Sequence, residues 1–137
     1  MSDTEAAGNV ALLQGLYAEY AAGNRAPFFN AMAEDLTFIS AGGGGLPWSG
    51  TWHGTAGVGT YFSRLDETVQ VRSYTVEHVI AQGEWVVALA KLRLAFHGSD
   101  REFELEKADF HRLRDGKLVE FREFYDSAFV CACRDGG

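Results

Sequence analysis

The C-terminal half of the chain alternates apolar and polar residues in twos over four consecutive segments, 71–82, 85–97, 102–113 and 118–127. Alternation at this period is typical of half-buried β-strands, because successive side chains point to opposite faces of a sheet. The connections between the segments are short and contain glycine, as hairpin turns require. The pattern therefore predicts a four-stranded antiparallel meander.

The N-terminal half has helical periodicity instead. Apolar residues recur every three or four positions over residues 10–20 and again over 58–65, which is the spacing of one helix face. Between them, Pro27 can open a second short helix running through Met32, and residues 36–40 have the composition of a strand. This order predicts one α+β domain over residues 1–137, with three N-terminal helices packed on a curved, mainly antiparallel sheet and a short irregular tail after about residue 128.

Composition narrows the classes of partner. The net charge is −7, whereas binding to phosphates needs a basic face, so we expect no nucleic-acid partner. No apolar stretch approaches the roughly 20 residues of a membrane helix, and no export signal opens the chain, so we expect a cytoplasmic protein without a membrane partner. Cys131 and Cys133 have no second pair and no histidine at zinc spacing. We therefore expect neither a metal nor another cofactor.

Two further segments carry apolar side chains for which we expect a partner surface. Residues 42–45 are four glycines followed by Trp48 and Trp52, and no Gly-Lys-Ser/Thr motif follows them, so we expect a mobile loop whose aromatic side chains cover a pocket rather than a phosphate-binding loop. Residues 85–89 are apolar on both strand faces. Helices can cover one face and a second copy of the sheet can cover the other, which predicts a homodimer.

The segment 102–113 carries the most informative chemistry. Its alternation places three glutamates on one face, whereas Lys107 and Asp109 lie on the other face among apolar side chains. An ionised group on an apolar face is costly unless it is paired or lines a cavity. Two interpretations remain open: a structural ion pair, or an acid/base site.

The last strand ends in a second acid, Asp126. Counting outward from the turn at Asp115 places Arg122 beside Asp109 or Lys107, although a bulge would shift this pairing by one residue. A pocket with Asp109, Lys107 and Asp126 would combine two carboxylates and a cation, the groups used in proton transfer. Alternatively, Asp126 caps nearby backbone amides.

The order of elements, together with residues 106–110 and 114–126, resembles the nuclear transport factor two-like superfamily, particularly its SnoaL-like polyketide cyclase and limonene epoxide hydrolase branches. The resemblance extends from about residue 9 to 127. It implies a cone of helices and bent sheet around a pocket, usually in a dimer, and a cofactor-free isomerase, cyclase or lyase, or a plain binding protein. Because the superfamily hosts many activities, function must follow from the site.

The resemblance also implies roles for residues. Epoxide hydrolases of this type use an Arg-x-Asp and a strand-ending Asp, to which Lys107, Asp109 and Asp126 correspond, but Phe38 and Ser40 stand where those enzymes hold water with Tyr and Asn. In ketosteroid isomerases the proton-transferring Asp lies near the position of Ser40, and the acid that donates to the oxyanion corresponds to Asp109. These departures favour cyclase-like proton transfer, or binding alone, over epoxide hydrolysis.

We therefore predict a pocket protein for a small apolar molecule that catalyses isomerisation, cyclisation or hydration. Asp109 is the predicted acid/base, and Lys107 and Asp126 assist it. The predicted substrate-binding residues are Tyr17, Phe38, Ser40, Trp48, Trp52, His53, Phe62, Arg122 and Phe124. The alternatives are a non-catalytic ligand-binding or dimeric assembly module, and an epoxide hydrolase-like enzyme.

Overall fold

The computed structural model describes residues 3–43 and 45–136. The helices are α1 (Asp3–Ala21), α2 (Ala26–Ala31), α3 (Gly54–Thr68) and α4 (Ser127–Arg134). The strands are β1 (Met32–Ser40), β2 (Gly50–His53), β3 (Val69–Gln82), β4 (Trp85–Phe96), β5 (Phe103–Arg114) and β6 (Lys117–Tyr125). Within this part of the chain, every helix is too short or too polar to cross a membrane.

The six strands form one sheet in the order β2-β1-β6-β5-β4-β3. β1 and β6 run parallel, and the other neighbouring pairs are antiparallel. Bulges in β3 next to Val71 and Val76 disturb its pairing with β4, and bulges of this kind bend and twist a strand. The predicted α+β class and the predicted meander, which is β3 to β6, are confirmed.

The helices pack against the concave face of this sheet. α1 contacts β3 and β4, and α3 contacts β1, β2 and β3. Leu13 from α1 and Val58 from α3 are fully buried and join one hydrophobic core with Leu36 and Val86 from the sheet. The apolar faces read from the sequence therefore point inward.

Three local predictions were wrong. β2 lies in the predicted loop; it is an edge strand with mostly exposed side chains, so it has no apolar alternation. Met32 begins β1 instead of continuing α2. The predicted irregular tail forms α4, because the Asp126 side chain accepts a hydrogen bond from the Phe129 amide at 3.0 Å and Val130 is fully buried.

A β-bulge decides the register between β5 and β6. Next to the turn, Leu113 pairs with Leu118 as regular counting predicts, but the register then shifts by one residue. Asp109 consequently pairs with Glu123, and Arg122 pairs with Phe110. Because a one-residue shift moves every side chain to the other face, Arg122 is exposed and Glu123 is buried. The predicted placement of Arg122 beside Asp109 is therefore corrected.

β4 is apolar on both faces, as predicted. Val86 and Ala88 face the core and are fully buried, whereas Val87 and Leu89 face outward and Leu89 is 36% exposed. The side chains of Val86 and Val87 therefore lie on opposite faces of the sheet.

This difference predicts unequal costs for two neighbouring charges. Val86→Asp should lower the free energy of unfolding by at least about 3 kcal/mol, because it places an unpaired carboxylate in the core. In the single chain, Val87→Asp should cost about 1 kcal/mol, the value typical of point changes at less buried positions. Urea denaturation at protein concentrations low enough to exclude the predicted dimer measures both, and equal losses would contradict the inward placement of Val86.

Candidate functional site

The helices and the concave face of the sheet surround a partly open cavity of about 40 Å³. Apolar side chains form its walls: Leu65, Val69, Val71, Leu92, Leu94, Leu105 and Val130. Side chains with polar groups gather at the remaining positions: Tyr20, Trp48, Tyr61, Tyr74, Lys107, Glu123 and Tyr125. An apolar cavity with a few convergent polar groups is the usual form of a small-molecule site.

A smaller inner cavity, of about 20 Å³, adjoins the first. The two cavities share five lining residues, Tyr20, Tyr61, Tyr74, Lys107 and Glu123. Of the two, Asp109 lines only the inner cavity. Lys107 and Glu123 therefore stand at the boundary between the larger cavity and the buried Asp109.

Lys107 lies between two buried carboxylates. Its Nζ donates a hydrogen bond to Oε2 of Glu123 at 2.9 Å and lies 3.3 Å from Oδ1 of Asp109. The side chains of Glu123 and Asp109 are 3% and 1% exposed, so water screens these charges weakly. Burial by itself lowers the pKa of Lys107, but the carboxylates of Asp109 and Glu123 together raise that pKa well above its ordinary value. Lys107 therefore remains a cation inside the cone.

Glu123 is the site residue that sequence reasoning missed. Its Oε1 accepts hydrogen bonds from the Ser40 hydroxyl at 2.5 Å and from the Tyr61 hydroxyl at 2.8 Å. Burial, and then the charge of Glu123, raise the pKa of Tyr61 well above its ordinary value, so this hydroxyl keeps its proton. A signal was present in the sequence, because Phe121 and Tyr125 lie two residues to either side and share the inward strand face with Glu123.

Asp109 is held by two tyrosines. Its Oδ2 accepts from the Tyr17 hydroxyl at 2.6 Å and from the Tyr74 hydroxyl at 2.7 Å. Burial, followed by the nearby Asp109 charge, raises the pKa of both tyrosines well above the ordinary value. The contact between Oδ1 and Lys107 is an ion pair without hydrogen-bond geometry, so no hydrogen bond from the described residues reaches this oxygen.

His111 follows Asp109 on the same inward face and is fully buried. Its Nε2 lies 2.8 Å from the Tyr17 hydroxyl, and its Nδ1 lies 3.0 Å from the carbonyl oxygen of Val86. Burial lowers the pKa of His111 to about 4, against the smaller opposing influence of Asp109. The imidazole is therefore neutral near neutral pH.

The structure brings most of the predicted site residues together. Lys107 and Asp109 lie at the inner cavity, as do the side chains of Tyr17, Phe38 and Phe62. The Ser40 hydroxyl supports Glu123. Trp48 lines the larger cavity and donates from Nε1 to the Tyr125 hydroxyl at 2.8 Å. The mobility of the glycine loop before Trp48 stays a prediction, and Gly44 lies outside the described residues.

Other predicted residues lie elsewhere. Asp126 is exposed and caps α4, which is the capping alternative. His53 is exposed at the start of α3, and Trp52 is half-buried outside the cavity lining, donating to the Trp48 carbonyl. Arg122 and Phe124 are exposed on the outer sheet face. Because Asp126 is absent from the cavity, the set expected for epoxide hydrolysis is not assembled.

The sequence profile of the SnoaL-like domain matches residues 13–121, which is most of the chain. The chain belongs to the SnoaL-like domain family. No curated protein has a significant match to its sequence. The family resemblance inferred from the terminal strands is confirmed.

Solved structures share the same cone over nearly their whole length. An NTF2-like protein of unknown function from Burkholderia pseudomallei superposes with a TM-score of 0.84 at 20% identity, over 91% of this chain and 95% of its own. TerC, co-crystallised with polyporic acid, superposes with a TM-score of 0.79 at 18% identity, over 93% of this chain and 98% of its own. A Catenulispora acidiphila protein with a ketosteroid isomerase-like fold was solved in complex with trimethylamine. It superposes with a TM-score of 0.73 at 18% identity, over 89% of this chain and 90% of its own. These likenesses establish the nuclear transport factor two-like fold.

The buried histidine predicts a pH dependence of stability. In the unfolded chain His111 has a pKa of about 6.5, whereas burial lowers it to about 4 in the folded protein. Below pH 6.5 the unfolded state therefore takes up a proton that the folded state does not. The contribution of His111 to the free energy of unfolding is fully present above about pH 6.5. It is lost as the pH falls toward 4, by about 3 kcal/mol in total.

Chemical denaturation of wild type and His111→Gln between pH 7 and 4 isolates this contribution, since other titrating groups are common to both proteins. The wild-type free energy of unfolding should fall more steeply with decreasing pH. Parallel curves would contradict the assignment of His111 as a buried neutral imidazole.

Proposed function

We propose that this protein binds a small, mostly apolar carbonyl compound in the cone and moves a proton on it, as in isomerisation, cyclisation or hydration. The observation that carries the proposal is the arrangement around Lys107: two buried carboxylates share one ammonium at the boundary of an apolar cavity. Such a combination of acid, base and cation is what proton transfer beside a carbonyl requires.

Glu123 takes the place that the sequence interpretation gave to Asp126. It lines the larger cavity, where a carboxylate can remove a proton from the carbon next to a carbonyl group. Lys107 lines the same cavity and supplies a fixed positive charge for the oxygen on which negative charge develops. Asp109, behind them, can accept this proton from Glu123 and return it through the inner cavity. No step of this scheme needs a cofactor.

The side chains that line the larger cavity indicate the class of ligand. Aliphatic side chains dominate the large cavity, with Trp48 and several tyrosine rings near the polar groups. This distribution favours a compact cyclic or aromatic body with one or two oxygens at one end. TerC, crystallised with polyporic acid, has the same fold, which supports a small organic occupant without identifying it.

A binding protein without catalysis is the competing function. One observation favours it: both oxygens of Glu123 already accept hydrogen bonds, from Ser40, Tyr61 and Lys107. These donors already occupy both oxygens, which leaves them less free to approach a substrate proton. In that case the same residues would only shape the polar end of a ligand pocket.

The exchange of α-hydrogens of 2-tetralone in D₂O, followed by proton NMR, separates the two functions. We expect wild type to accelerate exchange, and Glu123→Gln and Asp109→Asn to lower the rate by roughly 10²–10⁴-fold, as for loss of an acid/base group. Asp126→Asn is the matched carboxylate-to-amide control, and it should retain the wild-type rate. Binding of 2-tetralone without exchange would support the binding protein instead.

We also propose that the protein is a homodimer through an outer patch formed by Ile80, Val87, Leu89, Phe110 and Phe124. These residues are neighbours across β3, β4, β5 and β6. Ile80 is 57% exposed and Phe124 is 45% exposed in the single chain. A contiguous apolar face of this kind fits a second copy of itself in a twofold interface.

Sedimentation at micromolar concentration should therefore detect a dimer for wild type and a folded monomer for Phe124→Asp. Phe129→Asp is the matched control, because Phe129 is similarly exposed at 42% but lies on α4. A wild-type monomer, or equal effects of the two substitutions, would refute the interface.

A further inference from the structure

The larger cavity has a polar end and an apolar end, which follow one another along β5. From Lys107, the inward face of β5 continues with Leu105 and Phe103 toward the start of the strand. Because a strand rises about 3.3 Å per residue, Phe103 lies about 13 Å along β5 from Lys107. On β4, the partners of these two apolar residues are Leu92 and Leu94. A ligand whose oxygen meets Lys107 would therefore extend its apolar body toward Phe103.

The helix α4 closes this apolar end. β6 ends at Tyr125, which pairs with Lys107, so β5 continues beyond it and α4 packs there instead. Phe129 contacts Phe103 edge-to-face, with 6.0 Å between the ring centroids. Among the described residues of α4, Val130 alone lines the cavity, and it is fully buried. The wall at the apolar end is therefore the side chain of Val130.

The cavity is too small for a ring-sized ligand while α4 holds this position. Its volume of about 40 Å³ holds roughly three water molecules, at 10–15 Å³ of such space for each. A bicyclic ketone such as 2-tetralone is several times larger. A wall of the cavity must therefore move when such a ligand binds.

The contacts of α4 make it the wall that can move. The strands are joined in one sheet, and α1 and α3 pack on its concave face, whereas α4 makes few close backbone contacts with other helices and strands. Near its end, Sγ of Cys131 donates to the Gly43 carbonyl at 3.7 Å, and Nη1 of Arg101 donates to the Gly136 carbonyl at 3.3 Å. Both are exposed hydrogen bonds that water can replace at little cost.

We propose that α4 is the movable end wall of the cavity and that Val130 sets the length of the ligand that the cone accepts. A ligand with its carbonyl oxygen at Lys107 places its apolar end against Val130, and α4 shifts outward to make room. Val130 is thus a specificity-determining residue without a part in the chemistry. The inference rests on the proposed binding of an apolar carbonyl compound, but it does not rest on proton transfer.

Binding of 2-tetralone, measured by isothermal titration calorimetry, tests the wall. Val130→Ala should lower the dissociation constant and Val130→Ile should raise it, each by roughly 10–200-fold, the effect of a methylene group in an apolar pocket. Because the two substitutions act in opposite directions, either one decides the outcome if the other fails to fold. Val58→Ala is the matched control and should bind as wild type does, since Val58 is also fully buried on a helix but lines neither cavity.

Proton NMR of the wild-type complex tests the orientation of the ligand and the movement of α4. Nuclear Overhauser effects should connect the aromatic protons of 2-tetralone with the methyl groups of Val130. The effect between the rings of Phe129 and Phe103 should weaken when 2-tetralone binds, because α4 moves away from β5. An unchanged effect between these rings in the complex would overturn the movable wall.

The results separate this inference from the proposed function. Affinities that follow the size of residue 130, without exchange of the α-hydrogens, would reject the enzyme and retain the end wall. Exchange by wild type with equal dissociation constants for wild type and both Val130 variants would retain the enzyme and overturn the end wall. Failure of both wild type and Val130→Ala to bind 2-tetralone would overturn both.

Discussion

The buried ammonium of Lys107 is the interaction on which the site depends. A charge inside an apolar cone is stable only with a partner of opposite sign and with hydrogen bonds for every remaining polar atom. Glu123 is that partner, and Ser40 and Tyr61 satisfy its other oxygen. These donors come from β1 and α3, so one ion pair joins elements that are distant in sequence.

The bulge in the β5–β6 pair decides which acid meets this lysine. With regular pairing, Arg122 would face Asp109 and the cone would contain two cations at this point. The one-residue shift replaces Arg122 with Glu123, and it leaves Arg122 outside with Glu120, the carboxylate that its guanidinium contacts. A single extra residue in one strand therefore changes both the charge and the chemistry of the cavity.

The shape of the cavity and its electrostatics have separate origins. The apolar walls arise from the alternation of β3 to β5, which any stable sheet packed against helices would need. The polar groups are concentrated in one cluster, where low dielectric strengthens each hydrogen bond and charge interaction. Because the fold hosts many activities, the chemistry rests on this cluster and not on the cone. The tyrosines matter most in it, since each keeps its proton and can donate to a carboxylate.

The sequence by itself determined the α+β class, the meander, the family and the inward face of β5 with Lys107 and Asp109, because these follow from local periodicity and from residues within one strand. Only the tertiary structure decided that Glu123 meets Lys107, that Asp126 caps α4 and that Tyr17 lies between Asp109 and His111. The cap depends on a helix forming after the last strand, and the other two contacts depend on how separate elements pack. These are contacts between residues as many as 94 positions apart, which periodicity cannot report.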